Sequence, residues 1–171
     1  VELATAAGAR SIPLEAFHVA DGKQARERHE VVTRLTIMKP GPNDRFRAYK
    51  ISKRFDQDIS AVMAAFRLTV VDGVVVAARV AYGGLAATPK RAGAVEAALV
   101  GASVADPATH AAALAAVAAD FQPITDMRAS AGYRLTVARN LLVKALAEIA
   151  GADTRSTRLV GTREDAHAAA A

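Results

Sequence analysis

Two runs rich in apolar and β-branched residues, Ala61–Val71 and Val74–Tyr82, meet at Asp72-Gly73, and this junction restricts the fold more than any other feature of the chain. An Asp-Gly pair between alternating runs tolerates the positive φ angles of a tight turn, so the runs must fold back as an antiparallel hairpin. Side-chain parity then constrains the loop. A two-residue loop places Phe66, Leu68 and Val70 with Val75, Ala77 and Arg79. A three-residue loop places them with Val76, Ala78 and Val80 and gathers Arg67, Thr69 and Arg79 on the opposite face. The second arrangement separates apolar from charged residues and predicts a bulged, three-residue loop.

Upstream, Phe46, Ala48 and Lys50 alternate with Arg47, Tyr49 and Ile51 along another strand. Lys50 shares parity with Phe46 and Ala48 and is expected to point toward the apolar side, where an ammonium needs an anionic or polar partner. The same pattern allows a lysine that protects an exposed sheet edge. The strand runs into a charged turn, Ile51–Ser60, in which Asp56 and Asp58 could pair for acid–base chemistry. Spacing alone favours a solvated cluster neutralised by Lys53 and Arg54.

The stretch from Lys39 to Asp44, KPGPND, permits neither helix nor ladder and marks a boundary between a piece spanning 1–42 and a main domain spanning 43–150. In the first piece, Val1 to Phe17 predicts a hairpin around Gly8-Ala9-Arg10, with Pro13 confining the second strand to an edge or a strand end. Asp21 to Glu30 is a charged surface connector. Glu30 to Met38 predicts a strand, with Val31, Thr33, Leu35 and Ile37 on one face.

After Gly83-Gly84 the period becomes helical. Thr88-Pro89 predicts one helix start, with a stop at Gly101, and Asp106-Pro107 a second, with Ala111, Leu114, Ala118 and Phe121 on or near one face. A third helix is predicted over Ser130–Ala150, with Leu135, Ala138, Leu142, Ala145, Leu146 and Ile149 inward. Residues 151–171 lack a clear apolar face and are expected to be a mobile or partner-docked tail. Strands followed by a run of helices predict an α+β fold: an antiparallel sheet of about three to four strands covered on one face by three helices.

Composition removes several function classes. Zero cysteines exclude thiolate zinc sites and cysteine-ligated iron–sulfur clusters within the chain, and His18, His29, His110 and His167 show no metal-ligand spacing. A net charge of +5 would suit nucleic acid, but the basic residues are interspersed with acids and only 5% of residues are aromatic. No apolar run approaches the roughly 20 residues that span a bilayer, so a soluble, cytoplasmic chain without membrane contact is expected. No nucleophile elbow, phosphate-binding glycine loop or metalloprotease helix is present, and Gly83-Gly84 reads as a strand end or a close backbone approach.

Three blocks add a resemblance: YKISKRFDQDISAV (Tyr49–Val62), AYGGLAATPKRA (Ala81–Ala92) and DFQPITDMRASAGYRLTVARNLL (Asp120–Leu142). In consistent order, within a match from about Val1 to Ile149, they resemble the FAD-binding chain of bacterial xanthine dehydrogenase, in the molybdenum hydroxylase family. The resemblance implies a CO dehydrogenase flavoprotein C-terminal domain-like fold, preceded in 1–42 by the end of the flavin-binding domain proper. It implies that Lys50 contacts the flavin, that Val32 does so through its backbone, and that Ser52, Lys53, Arg54, Phe55, Asp56, Gln57 and Asp58 form the loop beside it. Phe55 and Gln57 stand where some relatives carry an arginine and an acid.

It further implies an enzyme in which purine hydroxylation at a molybdenum cofactor sends electrons through two iron–sulfur clusters to FAD and on to NAD. The molybdenum-binding large subunit and the upstream FAD and iron–sulfur segments would be the partners, and none of this chain's residues would be catalytic. The glycine-rich FAD pyrophosphate segment lies upstream in the family, so FAD would be shared with a segment outside this chain. The chain is then expected to be a C-terminal portion of the FAD-containing chain, opening at Val1 as at a processing boundary. The contrasting expectation is a non-catalytic interaction domain that keeps the fold for assembly.

Overall fold

The structure is a computed structural model, and it describes residues 1–54 and 57–153. Its centre is a four-stranded antiparallel sheet in the order β6 (Asp44–Ile51), β7 (Val62–Val71), β8 (Val74–Gly83) and β9 (Lys90–Arg91). The hairpin is present, but its loop is shorter than parity alone suggests. Val71 pairs with Val74, and Asp72 and Gly73 take φ of 48° and 76°, as a two-residue turn requires. The register then shifts between Val70–Val75 and Thr69–Ala77, so Val76 is the extra residue of a bulge. From Leu68 onward the expected facing holds, with Phe66 opposite Val80 and Leu68 opposite Ala78. Next to the turn it does not: Val75 is buried, and Val76 is exposed. Asp-Gly supplies both positive-φ positions of the tight turn, and the bulge, rather than a longer loop, restores the phase.

Three helices cover one face of this sheet: α2 (Gly93–Leu99), α3 (Ala111–Asp120) and α4 (Ala131–Ile149). Between them and the sheet lies a core that includes Phe66, Leu68, Val80, Tyr82, Leu99, Val117, Leu142 and Leu146. Its aromatic rings form a chain in which Phe66 meets Tyr82 edge-on at 5.8 Å and Tyr82 meets Phe121 at 5.4 Å. The Tyr82 hydroxyl, buried inside the core, donates to the Ala138 carbonyl at 3.0 Å, and burial raises its pKa.

The helix boundaries follow local signals only in part. Asp106 caps as expected, accepting the Ala108 N–H, and the chain enters α3 through a 3₁₀ turn at Pro107–His110. Thr88-Pro89 starts no helix; Lys90 and Arg91 instead pair with Tyr82 and Ala81. The α2 cap comes from far along the chain, where the Asp120 carboxylate accepts the N–H groups of Ala94 and Val95. On α3 the buried residues are Ala113 and Val117, with Leu114 half-buried; Ala111 and Ala118 are exposed. A helix this rich in alanine gives little contrast from which to read a phase. On α4 the expected stripe is present: Ala138, Leu142, Ala145 and Leu146 are buried, and Leu135 and Ile149 pack against them. The same stripe also buries Arg134 and Glu148.

Residue parity on β6 is the reverse of the expectation for Lys50. Arg47, Tyr49 and Ile51 stand opposite Phe66, Ala64 and Val62 on the helix-covered face, whereas Phe46, Ala48 and Lys50 stand opposite Arg67, Ala65 and Met63 on the open one. Arg47 can face the helices because its guanidinium bonds the buried Glu148 carboxylate of α4 at 2.9 Å. An acid 101 residues away is invisible to strand alternation.

The N-terminal segment builds a second sheet, ordered β2 (Gly8–Ser11), β1 (Glu2–Thr5) and β5 (Val31–Arg34). Thr5 pairs with Gly8, so the turn is Ala6-Ala7 rather than Gly8-Ala9-Arg10, and Gly8 opens β2 with φ +155°. After the one-turn helix α1 (Leu14–Phe17), a small hairpin of β3 (His18–Ala20) and β4 (Lys23–Gln24) turns at Asp21-Gly22. The expected surface connector therefore contains the turn and second strand of a hairpin, and it does not stay at the surface throughout: Glu30 is only 5% exposed. Its carboxylate receives Arg10 Nε at 2.6 Å, Arg10 Nη2 at 2.8 Å and the Glu27 N–H at 2.8 Å. Strand β5 ends at Arg34, and Leu35, Ile37 and Met38 are exposed beyond it. A Glu15–Arg91 contact at 3.5 Å ties α1 to the main sheet.

Two outcomes follow from this packing. Phe66→Ala should lower unfolding free energy by about 3–5 kcal/mol, as deletion of a fully buried ring does, whereas Phe46→Ala on the open face should cost less than about 1 kcal/mol. Denaturant unfolding of both variants measures the contrast. Separately, the Arg10 guanidinium, assisted by the Glu27 amide, holds the Glu30 carboxyl at about 2, below its ordinary 4.5. Because the folded carboxyl is the stronger acid, its contribution is complete above about pH 4.5 and disappears as pH falls toward 2. Glu30→Gln should flatten the acid limb of stability over that window, read from amide exchange in residues 1–34.

Candidate functional site

The open face of the main sheet is ordered in rows by the strand register. Lys50 stands beside Met63, and Met63 beside Gly83; one step along, Ala48, Ala65 and Ala81 form the next row, and Phe46, Arg67 and Arg79 the third. The cations of the third row have acids nearby. Arg67 bonds Asp44 at 2.6 Å, and Asp44 also accepts from Thr69, so these two donors, with the Gly41 N–H, hold the Asp44 carboxyl well below the usual range. The Glu15 carboxyl, lowered chiefly by a backbone hydrogen bond, is lowered further by the nearby Arg79 and Arg91. Lys50 differs: it is exposed, its neighbours are small or apolar, and no acceptor contacts it among the described residues.

The charged turn that follows β6 is closed at its neck by the Ala61 N–H, which donates to the Ile51 carbonyl at 2.8 Å. Within it, the Asp58 carboxylate accepts the Arg54 N–H at 2.8 Å, and that bond is the main reason its pKa is lowered. The Arg54 guanidinium approaches Asp58 at 3.7 Å and donates to the Gln57 carbonyl at 3.1 Å, and Ser52 Oγ donates to the Arg54 carbonyl at 2.8 Å. Gln57 takes a left-handed φ of 51°. Asp58 is thus engaged in shaping the turn. Phe55 and Asp56 lie outside the described residues.

Two contacts brace the turn from outside. Lys53 Nζ donates to the Met127 carbonyl at 2.7 Å, and Arg134 Nη1, from the first turn of α4, donates to the carbonyls of Ala61 and Gly84, each at 2.6 Å. The other arm of the Arg134 fork bonds Asp126 at 2.6 Å. Asp126 also accepts the N–H groups of Arg128 and Ala129, and the Arg128 amide in particular, with Arg134 adding to it, keeps its carboxyl at about 2. Gly84 is required at this junction: its φ is +80°, and a Cβ there would lie 2.5 Å from the Ala61 carbonyl oxygen. The pair Gly83-Gly84 therefore allows a close backbone approach.

The structure places Lys50 and the described part of the turn, 52–54 and 57–58, consecutively at one end of the main sheet. Val32 belongs to the other sheet, exposed on β5, whose outer edge carries no strand among the described residues. Arg134 and Asp126 are the site residues that strand and turn patterns miss. A signal existed, since Arg134 lies one turn before Ala138 on the buried stripe of α4, where an unpaired charge would be costly. No cluster of three or more potential ligands that could hold a metal occurs among the described residues. No described helix is long and apolar enough to cross a membrane.

Comparison with known proteins identifies the family. The family model for the CO dehydrogenase flavoprotein C-terminal domain matches residues 47–149, more than half of the chain. A nicotinate hydroxylase of Emericella nidulans is 30% identical over 150 residues, covering 84% of this chain and 11% of that protein. Among solved structures, the reconstituted CO dehydrogenase from Oligotropha carboxidovorans is similar with a TM-score of 0.78 and 28% identity, covering 85% of this chain and 50% of that one. The quinoline 2-oxidoreductase of Pseudomonas putida 86 is similar with a TM-score of 0.74 and 28% identity, over 86% and 50% of the two chains. The chain thus spans about half the length of the solved chains and about a tenth of the hydroxylase. With its strand–turn–strand core, its one-sided helical cover and its charged turn after β6, the chain belongs to the CO dehydrogenase flavoprotein C-terminal domain family.

Proposed function

We propose that the chain is the C-terminal portion of the FAD-containing chain of a molybdenum hydroxylase, with residues 1–42 ending the flavin-binding domain, 43–150 forming the C-terminal flavoprotein domain and 151–171 a tail. The carrying observation is Lys50, an exposed ammonium on the open sheet face with no acceptor among the described residues. A cation so placed suits a ring system that gains negative charge on reduction. Val32, on a strand whose outer edge carries no strand among the described residues, can offer backbone groups to the same ligand. The fit extends to the ring end only. The described residues contain no G-x-G-x-x-G loop for a diphosphate, so FAD is shared with upstream segments.

FAD, when bound, would take electrons from iron–sulfur clusters and a molybdenum cofactor held elsewhere in the complex and pass them to an acceptor. This chain's part is electrostatic. Lys50 at about 5 Å from a negative charge contributes from about 1 kcal/mol in open water to about 3 kcal/mol once the site is closed. Ser52, Lys53, Arg54, Gln57 and Asp58, with Phe55 and Asp56, would border the approach of the acceptor. The finer reading is a xanthine dehydrogenase-like enzyme that hydroxylates a purine and reduces NAD in a soluble complex with a molybdenum-binding large subunit. The three sequence blocks support it, and so does the naming of two relatives for nicotinate and quinoline, nitrogen heterocycles as purines are.

In the complete flavin-containing enzyme, Lys50→Ala should retain the protein fold and shift the flavin reduction potential downward by the equivalent of about 1–3 kcal/mol, with slower NAD reduction. Spectroelectrochemical titration and steady-state turnover check this together. Unchanged flavin content, potential and turnover would sink the reading.

A further inference from the structure

We infer that Arg134, acting with Asp126, is the positioning residue for the charged turn after β6. This rests on the reading of that turn as the flavin side of the domain. The guanidinium is nearly inaccessible, with only 4% of its side chain exposed, and its bonds bring together the exit of the turn, the end of β8 and the loop before α4. Through Nη1 it fixes the Ala61 carbonyl, where the turn re-enters β7, and the Gly84 carbonyl, where β8 ends. Through Nη2 it fixes Asp126, one residue from the Met127 carbonyl that receives Lys53. The turn is thus held at its exit by Arg134 directly and along its first limb by Lys53 through the Asp126–Arg128 loop.

The chemistry favours a positioning role over a purely packing one. A buried guanidinium needs charge and hydrogen-bond compensation, and one carboxylate with two carbonyls supplies it to Nη1 and Nη2, though not to Nε, in a forked geometry that lysine cannot reproduce. All three acceptors belong to loops rather than to the sheet interior. Gly84 carries the matching constraint, since a side chain there would push against both the Ala61 carbonyl and Arg134 Nη1. Core packing alone would need none of these acceptors at one point.

The test uses the complete flavin-containing enzyme with Arg134→Met, and Asp126→Asn as the milder variant in case the first does not accumulate. Amide exchange in peptides covering 52–54, 57–61 and 124–129 should accelerate by about tenfold or more, as loss of one charged hydrogen-bond hub implies, while β7 and β8 stay protected. The flavin potential should move at unchanged flavin content. Exchange that is unchanged in those peptides, or that rises equally through β7 and β8, would overturn the proposal, the latter by making Arg134 an ordinary core residue. A loosened turn with an unmoved potential would uphold the clamp and count instead against the flavin-side reading, which Lys50→Ala tests independently.

Discussion

The single bulge at Val76 sets the phase of the main sheet, and most of the domain depends on it. A two-residue Asp-Gly turn alone would have put Ala77 and Arg79 beneath the helices and Val80 outside. With one extra residue, Val80 and Tyr82 join Phe66 and Leu68 on the covered face, and the aromatic chain to Phe121 becomes possible. The same phase sends Arg67, Arg79, Ala65, Ala81 and Gly83 to the open face, beside Lys50. Core and candidate site are therefore two faces of one register.

That dependence explains which parts of the chain could be read in advance. The hairpin and the stripe of α4 come from local signals: turn chemistry, alternation and a 3.6-residue period with enough large residues to show a phase. Lys50 was legible as an unusual residue, but its face was not, because alternation on β6 offers Phe46 on one side and Tyr49 on the other. The deciding term is the Arg47–Glu148 ion pair, made with the last helix. Likewise Thr88-Pro89 carries a valid local start signal that loses to ladder bonds on β8 and to a cap from Asp120. The Asp21-Gly22 hairpin was legible by the rule used for Asp72-Gly73, and the density of charge around it concealed it.

The candidate site shows the same division. Lys50 and the turn are consecutive in sequence, so a sequence block captures them. What holds the turn is distributed: Arg134 from α4, Asp126 and Met127 from the preceding loop, and Gly84 from the end of β8. Charge density in the turn suggested solvated acids. In the structure Asp58 accepts the Arg54 N–H within the turn and faces the Arg54 guanidinium.

The cap on α2 has a consequence for how the domain assembles. A helix of seven residues has almost no stability of its own, and its free N–H groups are bonded by a carboxylate about twenty-five residues downstream. Its helicity is conditional on the rest of the domain: it rests on the cap from Asp120 and on the burial of Val95 and Leu99 against β8 and α3. Along this chain, α2 is therefore synthesised before the residue that caps it.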